Sequence, residues 1–335
     1  MPRQKVYLSI LDVLRGLAAV AVCLFHFNYR NGGSLSAALE YGHYGVEIFF
    51  VISGFVIPLA MNWSKFQYRD VGNFLLRRMI RLYPVFAIVA FSTLLLSIYG
   101  NPLLGYGGGG DDLTLQRALA NFTLTADLVG EGWYLPVFWT LAIEMQYYFL
   151  IAFSFPLLVH KESWVRILVL LLWICPCYFV GYTETVFSWT AFFAMGILVF
   201  LHQNQKIGRV WFWALLLLAA YSHQETRNLT SACLGILTAV CILWSPQIRA
   251  PWLVKLGVVS YSLYLLHLAV GGAVIIQLRQ LPEGMQWINN QPLGIIFSTV
   301  ISICAAMLFY KYIELPIHNL ARQLKTRERK KELGS

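Results

Sequence analysis

Three ionisable residues, Asp12, Arg15 and His26, stand in an otherwise apolar stretch at 8–27. At about 100° per residue, Arg15 and His26 fall within roughly 20° of one another and about 16 Å apart along a helix. Asp12 lies about 60° from Arg15 on the same reckoning. A polar stripe of this kind lines a cavity. Its imidazole is a candidate general base or nucleophile, and its guanidinium a candidate for orienting a donor or steadying an oxyanion. Glu47 opens a second apolar stretch at 43–62, and the short connection predicts that it lies at a depth similar to His26. A carboxylate beside an imidazole fixes the tautomer and stabilises the imidazolium. Ser53 and Gly54 lie deeper, where small side chains admit a neighbouring helix or a narrow ligand.

Arg77, Arg78 and Arg81 precede Tyr83 and Pro84. Spacings of i,i+4 and i,i+3 put the three arginines on one helix face. Three guanidinium groups suit a polyphosphate; basic side chains here also set topology and meet anionic headgroups. Glu144 sits in VFWTLAIEMQYYF, too deep for the interfacial belt to which Trp133, Tyr134 and Trp139 partly belong. It is expected to face the same cavity. His267 in SYSLYLLH and Glu314 in KYIELP complete the polar inventory.

Such groups need a scaffold that keeps water away. The 335 residues are 58% hydrophobic and only 12% charged, with a mean hydropathy of +0.62. A soluble domain carries about 25% charged residues, so this chain cannot cover a water-facing surface. Soluble enzyme folds, nucleic-acid binders and secreted scaffolds are excluded. The predicted fold class is an all-α integral membrane protein. About ten transmembrane helices are expected, at 8–27, 43–62, 82–100, 138–158, 166–181, 187–201, 210–222, 229–244, 257–278 and 293–313. Residues 1–320 form one expected transmembrane domain, and 321–335 a charged cytoplasmic tail.

Loop charge orients these spans. With the N-terminus inside, nineteen of the 25 Lys and Arg fall on inner segments. Only Arg30, Arg117, Arg227 and Arg279 fall outside, so the positive-inside rule places both termini in the cytoplasm. The net charge of +9 is then topological, and no nucleic-acid partner is expected. Residues 63–81 are predicted to form a short amphipathic basic helix on the cytoplasmic face. Residues 101–137, with Gly107–Gly110, Asp111, Asp112, Asp127 and Glu131, are expected to be a mobile outer loop or lid, since no phosphate-binding GK[ST] follows the glycines. The six cysteines lie in apolar runs without zinc spacing and read as packing residues. No metal site, cleavable leader or inverted repeat is expected.

Five segments together resemble the acyltransferase-3 family of membrane O-acyltransferases: LDVLRGLAAVAVCLFHF (11–27), GVEIFFVISGFVI (45–57), FLLRRMIRLYP (74–84), WTLAIEMQYYF (139–149) and SYSLYLLH (260–267). The likeness runs through nearly the whole chain. It implies that Arg15 and His26 are the essential pair and that Glu47, where relatives often carry aspartate, joins them. It implies donor binding by Arg77, Arg78, Arg81, Tyr83 and Ser53, and a cavity or acceptor surface from Asp12, Trp139, Glu144, Tyr264 and His267. The implied donor is cytoplasmic acyl-CoA, acetyl by default, with no permanently bound cofactor. The implied acceptor is a hydroxyl on a glycan or lipid-linked sugar at a bacterial cytoplasmic membrane. Macrolides are the alternative acceptors in the family. Many relatives add an extracytoplasmic SGNH hydrolase-like domain, absent from this sequence, so transfer is expected to be completed by the membrane domain or with a separate partner. His26 acts in this picture either as the base for direct attack or as an acyl-accepting nucleophile. A glycan or lipid transporter would also need midspan charges, but it gives no reason for clustered arginines beside one entrance. A structural subunit of an export complex explains neither feature.

Overall fold

A computed structural model describes residues 8–28, 34–98, 114–180, 185–224, 228–280 and 291–320. In chain order its helices begin with α1 (Ser9–His26), α2 (Ser34–Glu40), α3 (Gly45–Trp63), α4 (Val71–Ile98), α5 (Leu115–Phe122), α6 (Ala126–Val129), α7 (Phe138–Leu158) and α8 (Ser163–Ile174). They continue with α9 (Pro176–Val180), α10 (Thr190–Gln203), α11 (Arg209–Gln224), α12 (Leu229–Trp244), α13 (Pro251–Val258), α14 (Ser260–His267), α15 (Ala273–Arg279) and α16 (Gln291–Phe309). All regular structure among the described residues is helical. Seven of these helical stretches are long and apolar enough to cross a membrane. The stretches expected at 187–201, 210–222 and 229–244 fold as α10, α11 and α12, of 14, 16 and 16 residues. At about 1.5 Å per residue these are shorter than a hydrocarbon core of roughly 30 Å. Gly107–Gly110, Asp111, Asp112 and the tail at 321–335 lie outside the described residues.

The chain divides into two compact units. The first comprises Met1–Val22, Tyr41–Asp70 and Ile143–Ser260. Its centre is α10, in which every residue from Thr190 to Leu201 is buried. A helix that is apolar all round belongs inside protein, which accounts for its hydropathy without requiring lipid contact. α10 lies directly on α3. A Cβ at Gly54 would strike the carbonyl of Phe193, and one at Gly196 the carbonyl of Val51. The close approach expected at Gly54 is therefore made by backbone against backbone. Gly16 and Gly257 do the same between α1 and α13, where a Cβ at Gly257 would run into the Asp12 carbonyl. Around these crossings Phe193 stacks on Tyr147 at 4.0 Å, and Phe50 packs against Phe193 and Trp189.

Side-chain amides tie three helix ends of this unit together. Asn62 Nδ2 donates to Asn204 Oδ1 (3.4 Å), and Gln203 Nε2 to the Ile242 and Leu243 carbonyls (3.3 Å each). Exposed Trp63 and Trp244 close α3 and α12 here, and exposed Trp211, Trp213 and Trp252 open α11 and α13. Lys65, Lys206, Arg209, Arg249 and Lys255 lie beside them in the chain. Tryptophan next to Lys and Arg is the composition of a membrane–water interface.

The second unit comprises Cys23–Glu40, Val71–Ala142 and Tyr261–Ser335. Here the structure corrects a boundary. Of the basic residues after the second span, Lys65 and Arg69 precede α4, whereas Arg77, Arg78 and Arg81 lie in its second and third turns, and α4 runs unbroken for 28 residues through Pro84. Tyr83 donates its hydroxyl to the Phe122 carbonyl, and Tyr261 donates to the Leu82 carbonyl (2.9 Å each), pinning α4 around the proline. Leu76, Ile88, Phe91, Leu95 and Ile98 of α4 face outward, a surface that suits lipid and not water.

The described part of the expected lid, 114–137, is a clamped pair of short helices. Asn121 is fully buried; its Nδ2 donates to the Gly132 carbonyl (2.9 Å) and its Oδ1 accepts from the Tyr134 N–H (2.9 Å). Arg117 Nε also donates to the Gly132 carbonyl (3.0 Å), and Trp133 Nε1 donates to Asp127 Oδ1 (2.7 Å). Burial raises the Tyr134 phenol above its ordinary pKa; Arg117 lowers it and Glu131 raises it further. Two π-helical turns, Leu268–Gly272 and Tyr310–Glu314, interrupt the last helical stretches of the unit.

Candidate active site

In the second unit two imidazoles face each other. α1 ends at His26 and α14 ends at His267, immediately before the first π turn. Their ring centroids are 5.2 Å apart, tilted by 42°. The approach depends on Gly271: a Cβ there would collide with the Phe27 ring and Ser302 Oγ. Phe27 thus seats on the π turn, and its ring stands 6.1 Å from that of His267. π turns within α-helices occur often at functional sites; here one follows the histidine directly.

His267 is fully buried. Its Nδ1 lies 2.8 Å from the Tyr264 carbonyl. A carbonyl only accepts, so Nδ1 carries the proton and Nε2 holds the basic lone pair. That Nε2 is buried with no hydrogen-bond partner among the described residues. An unmet polar atom of this kind costs about 1–3 kcal/mol, a penalty that a hydroxyl donor in this place relieves. The Tyr264 hydroxyl is 2.9 Å from Thr140 Oγ1, fixing the turn that carries the carbonyl.

In the first unit Glu47 is 3% exposed. Glu47 Oε1 accepts from Ser231 Oγ (3.1 Å), and Ser231 Oγ lies 2.9 Å from His223 Nε2. His223 Nδ1 lies 3.6 Å from Cys177 Sγ, which is 3.2 Å from the Ser188 carbonyl. His26 falls in the other unit. Ser231 and His223 were not candidates from sequence. Ser231 lies 184 positions from Glu47, and a histidine in a helix's last turn reads as a partner for the helix dipole. The N-cap pattern, Asn228 Oδ1 accepting from the Ser231 N–H at 2.8 Å, was the available signal that Ser231 sits at a buried helix start.

The remaining candidates are distributed as follows. α1 is continuous from Ser9 to His26, so Arg15 and His26 keep their common phase. The Ser53 carbonyl accepts from Tyr147 Oη (3.2 Å), and Glu144 Oε1 from Tyr148 Oη (2.5 Å). Trp139 is half-buried in the first turn of α7. Arg78 lies over the Phe74 ring at 5.5 Å, Arg77 is half-buried and Arg81 is exposed. Tyr83 has its hydroxyl committed to the Phe122 carbonyl, as described. Glu314, 3% exposed, accepts from Ser262 Oγ (2.5 Å) and stands 3.8 Å from His318. Among the described residues no cluster of three or more His, Cys, Asp or Glu is placed to hold a metal ion.

Comparison with known proteins adds a consistent finding. The profile of the Acyltransferase domain matches residues 8–311. The chain is 32% identical over 150 residues to the peptidoglycan O-acetyltransferase OatA of Listeria monocytogenes, covering 42% of this chain and 23% of that protein. It is 29% identical over 164 residues to the O-acetyltransferase OatA of Staphylococcus aureus, covering 46% and 26%. The matched stretch is thus about a quarter of each relative's length. No solved structure matches significantly.

Proposed function

Because the chain belongs to the Acyltransferase domain family, we propose that it is a membrane-embedded O-acyltransferase. It moves an acyl group, acetyl by default, from acyl-CoA at the cytoplasmic face to a hydroxyl of a cell-wall or cell-surface glycan, in a bacterial cytoplasmic membrane. The observation that carries this reading is the His26–His267 pair, two imidazoles 5.2 Å apart with the tautomer of one fixed by a backbone carbonyl. That is proton-transfer machinery in an apolar surround. The names of the O-acetyltransferase relatives support acetyl and glycan as substrate classes.

In this reading His26 takes the acceptor's hydroxyl proton as its oxygen attacks the thioester carbonyl, or His26 is acylated first and water-free transfer follows. By either route the C–S bond breaks, the C–O ester forms, and the released thiolate of CoA takes up the proton. Arg15 orients the donor or faces the developing oxyanion. Arg77, Arg78 and Arg81 meet the CoA phosphates, and Glu47 is a working carboxylate of the reaction. The test is direct. Purified protein in lipid vesicles, given labelled acetyl-CoA and peptidoglycan fragments, should form an alkali-labile labelled glycan ester, with none formed by His26→Gln. Failure of the wild-type protein to esterify any glycan from acetyl-CoA or another acyl-CoA would overturn the proposal.

A further inference from the structure

We propose that His223 and Ser231 are a proton relay for Glu47, a built-in site that lends a proton to this carboxylate and takes it back. This rests on reading Glu47 as a working carboxylate of acyl transfer. Three side chains from three helices meet through hydrogen bonds: Glu47 in the first turn of α3, Ser231 in the first turns of α12, His223 in the last turn of α11. Glu47 is 3% exposed, and Ser231 and His223 are fully buried. Bulk solvent is kept from this group, and the chain of bonds offers a route for a proton.

The chain has two arrangements with every bond made. In the first, His223 carries both ring protons and Glu47 is ionised. Nε2–H donates to Ser231 Oγ, and the Ser231 hydroxyl donates to Glu47 Oε1. Nδ1–H points to Cys177 Sγ, whose own S–H donates to the Ser188 carbonyl. In the second, the Nε2 proton has passed to Ser231 Oγ while the serine's proton has passed to Glu47 Oε1. The carboxyl now donates to the serine, and the serine to Nε2. Two protons move, none is gained or lost, and Nδ1–H and the thiol stay as they were. A serine suits the middle position because its hydroxyl donates and accepts at once.

The surroundings balance the charged arrangement. Glu47 and Ser231 lie at helix N-termini, where the dipole favours a carboxylate. His223 lies at a C-terminus, which favours a cation, and the Phe192 ring stands 4.2 Å from it, a neighbour that also tolerates positive charge. These neighbours favour the charged arrangement, and burial, which disfavours charge, opposes them.

The experiment compares Ser231→Ala, Ser231→Thr, His223→Phe and Glu47→Gln in the vesicle assay. A relay predicts that Ser231→Ala and His223→Phe lower kcat at least about tenfold, short of the 10²–10⁴ of removing an acid–base group outright, with KM for both substrates unchanged. Ser231→Thr, which keeps the hydroxyl, should recover most of the rate. The dependence of kcat on deuterium fraction should be curved in the wild type, where two protons move together, and straight in Ser231→Ala. Full activity in Glu47→Gln would remove the reading of Glu47, and the relay with it. A slow Glu47→Gln beside fully active Ser231→Ala and His223→Phe would leave that reading standing and overturn the relay alone. Loss in Ser231→Ala that Thr does not recover, with the deuterium curve unchanged, would mean packing and would overturn it too.

Discussion

The two polar centres of this protein differ in how far their hydrogen bonds run. From Glu47 a chain of side chains passes through Ser231 to His223 inside the first unit, using one carboxylate oxygen, while Oε2 is buried outside that chain. At the His26–His267 pair the bonding is local: His267 is anchored through Nδ1 by the Tyr264 carbonyl, while its buried Nε2 has no hydrogen-bond partner among the described residues. A chain of side chains can store and shuttle a proton. A ring held at one nitrogen can offer the lone pair on the other. The glycines also differ in what they admit. In the first unit Gly54 and Gly196 bring main chain onto main chain, although Gly235 there admits the Met195 and Phe192 side chains, and in the second Gly271 makes room for Phe27 and Ser302.

The largest effect should come from the histidine pair. His26→Gln should lose at least 10² in turnover, since an amide supplies no useful basicity and general acid–base groups contribute about 10²–10⁴. Glu47→Gln should lose less. Turnover of purified, folded variants decides it: His26→Gln retaining more than about a tenth, or Glu47→Gln falling as far, would break the contrast. The glycines sharpen it next. Gly196→Ala drives a Cβ into the Val51 carbonyl, which cannot swing away, and overpacking of this kind costs about 1–3 kcal/mol. Gly271→Ala meets a phenylalanine ring and a serine hydroxyl, so thermal unfolding in detergent should show the smaller loss there. Equal losses would mean that the second unit is as tightly built as the first. The smallest effect concerns the arginines of α4. Arg78→Ala and Arg81→Ala should raise KM for acyl-CoA several-fold with little change in kcat, because a phosphate contact is made equally in ground and transition states. Lysine should restore it only in part. Unchanged KM in the double variant would return these arginines to setting topology.

What could be read from sequence was whatever one helix carries by itself. Arg15 and His26 share a phase fixed by 3.6 residues per turn, Gly54 stands out as a small residue in a bulky run, and His267 as a lone histidine in an apolar segment. What stayed out of reach was anything requiring a second helix at a known rotation. A short connection between His26 and Glu47 sets depth but not azimuth, so it said nothing of Ser231, which donates to Glu47 from 184 positions away. The change from basic to apolar residues near Leu82 looked like a boundary, yet side-chain polarity does not interrupt backbone bonds, and α4 passes through it and through Pro84. Hydropathy likewise marks α10 as apolar without distinguishing lipid from a surrounding ring of helices. His223 was hidden for the opposite reason, since its position at a helix end offered an ordinary explanation.

The contact between Gly16 and Gly257 has a consequence in time. The two residues are about 240 positions apart, so at about 5–20 residues per second the ribosome reaches the second roughly 12–50 s after the first. Through that interval α1 sits in the bilayer with the strip around Asp12 uncovered, although this strip becomes main chain pressed on main chain in the finished molecule. Lipid has to cover it provisionally and then leave. α1 meets α3 early, at Ala18 and Gly45, so a chain interrupted before α13 would carry a first helix seated along one side and bare at Asp12.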